Sequence, residues 1–150
     1  MRGALFVVNS RAEPLDFSFA RIDIHASFLW RAGELKRQAV AALMRTLFTA
    51  AIHVPDLLIA LADEVPPTIF AEDLAVMIAV CRVAGAGALA YASTEALEEL
   101  PDAQHIFWAG PPPVSGSVVR ELLDALVARG GLIEPFDRAE LGLGEAYASS

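Results

Sequence analysis

Apolar residues fill every position from Ala4 to Val8, whereas from Leu15 to Phe19 they alternate with polar ones, Leu15, Phe17 and Phe19 against Asp16 and Ser18. An unbroken apolar run suits a strand covered on both faces, and alternation suits a strand covered on one. Asn9-Ser10-Arg11-Ala12-Glu13-Pro14 reads as a turn between them, so an antiparallel hairpin is expected. Ile22 and Ile24 fall on the opposite parity, which predicts either a bulge near Ala20 or the end of one-sided burial there.

Between Ser27 and His53 the spacing changes to three and four residues. Leu35, Ala39, Val40, Leu43, Met44, Leu47, Phe48 and Ala51 share one side, with Glu34, Lys36, Arg37, Gln38 and Arg45 on the other, which predicts a long amphipathic helix. Leu57 to Ala62 has the short, continuous apolar form of a buried strand ending at Asp63-Glu64. Pro66-Pro67 can start a short helix through about Leu74, and Val76 to Val83 reads as another buried strand. Ser93 or Thr94 is expected to cap a short helix through Leu100, with Glu95 near its positive end. His105 to Trp108 is a strand stopped by Gly110-Pro111-Pro112-Pro113. Ser115 or Ser117 then caps a helix carrying Val118, Val119, Leu122, Leu123, Leu126 and Val127 on one face, and Gly130-Gly131 ends it. The tail from Glu134 to Tyr147 is weakly helical because Gly142 and Gly144 lower its propensity. The expectation is an α/β fold: one three-layer domain, residues 1–150, with a mixed sheet, an N-terminal antiparallel hairpin and then alternating helices and strands.

Composition adds a mismatch to this pattern. The chain of 150 residues is 55% hydrophobic yet carries a net charge of −8, and its mean hydropathy is +0.48. That is more apolar surface than one small core needs, and the excess points to a protein partner or to self-association. With 19 acidic against 11 basic residues, binding to nucleic acid through phosphate contacts is disfavoured. The lone cysteine, Cys81, sits in an apolar run and suits a reducing cytoplasm, and the first residues do not resemble a signal peptide. From Leu74 to Ala92 the only charge is Arg82, a length close to a membrane span. The mid-span arginine and the Gly85-Ala86-Gly87 break favour a buried strand and a bend instead.

Few residues suggest chemistry. Asp63-Glu64 leaves the carboxyl end of a buried strand, where open α/β sheets place ligands, although an acidic pair before two prolines is ordinarily a solvated turn. A magnesium or manganese site there needs further carboxylates, with Asp16, Asp23, Glu72 and Asp73 as the candidates; otherwise no cofactor is expected. Ser115-Gly116-Ser117 can bind an anion through backbone amides and hydroxyls, though capping alone explains the serines. His25, His53 and His105 lie on separate elements, and Cys81 reads as packing. Phe28, Trp30 and Trp108 are candidate interface anchors if exposed and core residues otherwise.

The order of elements from Ala4 to Val8, through Leu15 to Ile24 and a long helix, to Pro55-Asp56-Leu57-Leu58-Ile59 and Asp63 resembles part of the ribonuclease H-like fold. Within that fold it is similar to endonuclease V and the endonuclease half of excinuclease C. The resemblance covers about the first 64 residues. It implies a first strand bearing a metal-binding acid and a later strand ending in a second acid, whose place Asp63 takes. The Ala4 to Asn9 segment carries no acid, so the resemblance implies a related scaffold rather than a complete metal site. The Gly3, Val7-Val8 and Pro14-Leu15-Asp16-Phe17 pattern is also similar to short bacterial proteins, which implies no mechanism. The residues together favour an interaction module or subunit. The alternative is a divalent-metal hydrolase using Asp63, with Glu64 or Asp16 assisting.

Overall fold

A computed structural model describes residues 1–25, 31–84, 95–101 and 104–149. The fold is α/β, with an N-terminal antiparallel hairpin and a four-stranded mixed sheet. The chain divides into two compact units, Met1–Val54 with Arg120–Ser150, and Pro55–Val119.

The first unit is built around the hairpin of β1 (Arg2–Val8) and β2 (Pro14–Arg21), which form a two-stranded sheet of their own. Pairing runs in register from Arg2 opposite Arg21 to Val7 opposite Asp16, and Val8 then faces Pro14. No bulge lies near Ala20, where the strand ends at Arg21; the irregularity of the ladder is at the turn end, where Leu15 is the extra residue. The turn is held by Asn9, whose Oδ1 accepts the N–H groups of Arg11 and Glu13. Ala12 takes the left-handed conformation there, with φ at 60°.

Helix α1 (Ala32–Ala50) buries Ala39, Val40, Leu43 and Leu47, the stripe that the three- and four-residue spacing predicts, along with Ala41. Ala, Leu, Arg, Lys and Gln give it high intrinsic propensity, and Glu34 occupies the first turn, where it pairs with Arg37 at 2.9 Å. The helix lies against the face of the hairpin that carries Gly3 and Asp16. A Cβ on Gly3 would stand 2.6 Å from Cδ2 of Leu43, and Asp16 Oδ2 accepts the N–H of Ile52 just past the helix end. Helix α2 (Val118–Ala128) is followed by α3 (Glu134–Ala148), which covers the opposite face of the hairpin. Phe6, Phe17 and Phe19 form a chain of ring contacts there that ends on Tyr147 of α3. Arg138 stacks over Phe6 and donates to the carbonyl of Ala12 at 2.6 Å, tying α3 to the turn. The apolar character of β1 on both parities thus reflects a helix on each side.

The second unit holds β3 (Leu57–Leu61), β4 (Ala79–Ala84), β5 (Ala96–Glu99) and β6 (His105–Trp108), in the order β3-β4-β6-β5. Of these, only β3 and β4 run parallel; β6 is antiparallel to both β4 and β5. The residues between Glu99 and His105 are too few for a parallel crossover, so β5 and β6 pair antiparallel. Between β3 and β4 the chain makes one wide helical turn, Ile69–Asp73, closed by the N–H of Leu74 on the carbonyl of Ile69 at 2.9 Å. The helix expected from Ser93 or Thr94 to Leu100 is replaced by β5 in its described part.

The glycines of α3 give a test of its packing. A Cβ on Gly142 would meet Phe17 Cζ at 3.1 Å, while one on Gly144 would meet nothing within 4 Å. Gly144→Ala is expected to raise stability by about 0.5–1 kcal/mol through helix propensity. Gly142→Ala should return much less, because the aromatic contact opposes the same gain. Urea denaturation of the two variants checks the difference.

Candidate functional site

The most elaborate arrangement of polar groups lies inside the second unit. β4 and β6 are the inner strands, and their side chains are almost wholly buried. One of those on β4 is Arg82, only 1% exposed. Its Nε and Nη2 donate to the two carboxylate oxygens of Glu95 at 2.7 and 2.8 Å, and its Nη1 donates to the carbonyls of Ala62 and Val65 at 3.0 and 3.1 Å. Phe107, directly across the β4–β6 ladder, lies under the guanidinium at 5.3 Å. The two-pronged pairing satisfies both carboxylate oxygens, as burial of an ion pair requires. Its effect is mechanical: one side chain joins the centre of the sheet, the loop leaving β3 and the residue just before β5.

The other face of the sheet holds Cys81, Trp108 and Glu98. Trp108 is 2% exposed, and its Nε1 donates to Glu98 Oε2 at 2.8 Å, so it serves as a core side chain rather than an exposed anchor. Burial, with a smaller contribution from the Glu98 charge, pushes the Cys81 thiol up to about 12. At the loop end of the β5–β6 pair, His105 sits opposite Glu99, with Nε2 3.7 Å from Oε1.

The residues singled out for chemistry are dispersed. Asp63 and Glu64 are exposed in the turn after β3, where the N–H of Glu64 donates to the Leu61 carbonyl at 3.2 Å. Asp16 belongs to the hairpin, receives the Ile52 N–H at 3.0 Å and lies 4.0 Å from His53 Nδ1. Among the described residues no group of three or more His, Cys, Asp or Glu side chains converges. Ser115 and Gly116 are exposed, Gly116 has φ at +82°, and the Ser117 hydroxyl donates to the Val114 carbonyl at 2.8 Å. These residues form the turn that leads into α2. Phe28 and Trp30 lie outside the described residues. No described helix is long and apolar enough to cross a membrane.

The Arg82–Glu95 pair was half visible in the sequence. Arg82 stands out as a lone charge in an apolar run, but its partner, in a segment with helical composition, gave no signal of pairing.

Two measurements test this account of the sheet. Arg82→Met or Glu95→Gln should destabilise the protein by about 3–5 kcal/mol in urea, since each strands a buried partner. Arg82→Met combined with Glu95→Leu should recover part of that loss, limited by the carbonyls of Ala62 and Val65 that the guanidinium no longer satisfies. Cys81 is expected to resist a thiol reagent at neutral pH in the folded protein and to react promptly in denaturant. Prompt reaction in the folded state would contradict the packed sheet.

No protein-family model matches the chain, and neither the curated proteins nor the solved structures gave a match.

Proposed function

We propose that the chain is an interaction module, a cytoplasmic subunit that assembles with itself or with another protein by burying part of its apolar surface. The observation that supports this reading is the position of its large apolar side chains. Leu15 and Phe19 on β2, Met77 ahead of β4, Val114 in the turn before α2, Val118 at its start, and Leu141 on α3 are all exposed. Isolated exposed apolar residues are ordinary on a protein surface. The case is stronger at β2, where Leu15 is 50% and Phe19 is 48% exposed beside the half-buried Asp16, Phe17, Ser18 and Ala20, and Phe19 is held by ring contacts to Phe17 and Tyr147. Aromatic side chains held rigidly by packing are efficient anchors, because little conformational entropy remains to be lost on binding. The net charge of −8 favours a partner surface that is neutral or basic.

Light scattering across a wide range of concentration, with mass spectrometry of material purified at native abundance, tests the proposal. A defined oligomer or a stoichiometric protein partner is the expected result. A monodisperse monomer that remains so when concentrated and retains no partner would overturn it.

A further inference from the structure

We infer that the partner is a second copy of this chain, added along the outer edge of β2 and running antiparallel to it across a two-fold axis. This rests on the interaction reading and names its partner. Met1 and Ile22 exchange two backbone hydrogen bonds, at 2.7 and 2.8 Å. In an antiparallel ladder such pairs alternate with pairs that face away from each other. Counting along the register, Gly3–Ala20, Leu5–Ser18 and Val7–Asp16 face inward, so Phe17, Phe19 and Arg21 turn their N–H and C=O groups outward. Among the described residues no strand pairs with that edge.

The outer edge of β1 is open in the same sense, but β2 is the better template. Leu15, Phe19 and Arg21 are exposed, whereas Ala4, Phe6 and Val8 on β1 are half-buried. Protected edges carry charged side chains, an interior proline or a bulge; past its irregularity at Leu15, β2 has no lysine, no proline and no further bulge, and Arg21 is the one charge among its outward-facing residues. Charge marks this strand as the place where a second copy meets least repulsion. Two chains of charge −8 repel each other, but Pro14–Arg21 contains one acid and one base, and the acid, Asp16, is turned toward the Ile52 N–H on the α1 face. Since the outward groups lie on odd-numbered residues, odd must pair with odd. A two-fold axis at Phe19 sets the two Phe19 side chains beside each other and each Arg21 opposite Phe17, with no like charges opposed. The product is a four-stranded sheet in which the two copies of β2 are central.

The test uses the full chain. Light scattering and sedimentation should give a dimer whose dissociation constant rises by about tenfold or more in Phe19→Lys and in Arg21→Pro, the latter removing an outward N–H without touching a hairpin bond. Arg2→Pro, the equivalent change on the β1 edge, should leave the dimer unchanged. If the variants fold poorly, hydrogen exchange on the wild-type dimer decides: slow exchange at the amides of Phe17, Phe19 and Arg21 is expected, and fast exchange there overturns the inference. A dimer that persists in both β2 variants also overturns it. A wild-type monomer with a stoichiometric foreign partner refutes the second copy while leaving the interaction reading intact; a monomer with no partner refutes both.

Discussion

The second unit depends on one buried ion pair. Placing a guanidinium on the inner strand β4 carries a heavy desolvation penalty, met here by both carboxylate oxygens of Glu95 and by two carbonyls of the chain leaving β3. Satisfying that charge fixes three otherwise independent things at once. The loop after β3 must keep Ala62 and Val65 turned toward β4, Glu95 must be brought beside the sheet, and β5 must begin in the phase that places Ala96 opposite Trp108. A hydrophobic residue at 82 would fill the space but impose none of these alignments. The pair therefore contributes specificity of arrangement more than net stability.

This explains where the sequence was legible and where it was not. The strand around Arg82 was visible because its neighbours are apolar on both parities, the mark of burial on two faces. β5 was not. Thr94-Glu95-Ala96-Leu97-Glu98-Glu99-Leu100 has a capping residue, early acids and strong helix formers, and no β-branched residue inside the strand itself. Its local preference is overruled by the antiparallel ladder to β6 and by the two acids, Glu95 to Arg82 and Glu98 to Trp108, which draw it onto the sheet. Such contacts are set by residues distant in the chain, and a periodicity argument does not contain them. The same limit applies to the candidate site: Asp63 and Asp16 were chosen by type and by position on strands, and convergence is a property of tertiary placement.

The hairpin was the most legible element, and the structure gives the pattern a different cause from the one expected. Full apolarity along β1 suggested a strand inside a larger sheet. Instead a two-stranded sheet is covered by α1 on the face with Gly3 and by α3 on the face with Phe6, Phe17 and Phe19. The pattern reports that both faces are buried; it does not report how many strands flank the one in question. Gly3 belongs to the same arrangement, because a side chain there would have to displace Leu43 from its place against the hairpin.

A hairpin alone is marginal in water, and helices on its two faces are what allow it to persist. Helices, however, satisfy a sheet only through side chains. They cannot supply the alternating N–H and C=O groups that a strand presents laterally, so covering both faces leaves the edges as a demand of the hairpin that no described strand meets. On β2 that demand coincides with an aromatic side chain held at the surface by Phe17 and Tyr147 and with a stretch of backbone almost free of net charge in an acidic chain. Backbone complementarity, apolar anchoring and electrostatic permissiveness arise from separate features of the sequence. Their meeting on one strand edge is what gives the surface of this protein a direction.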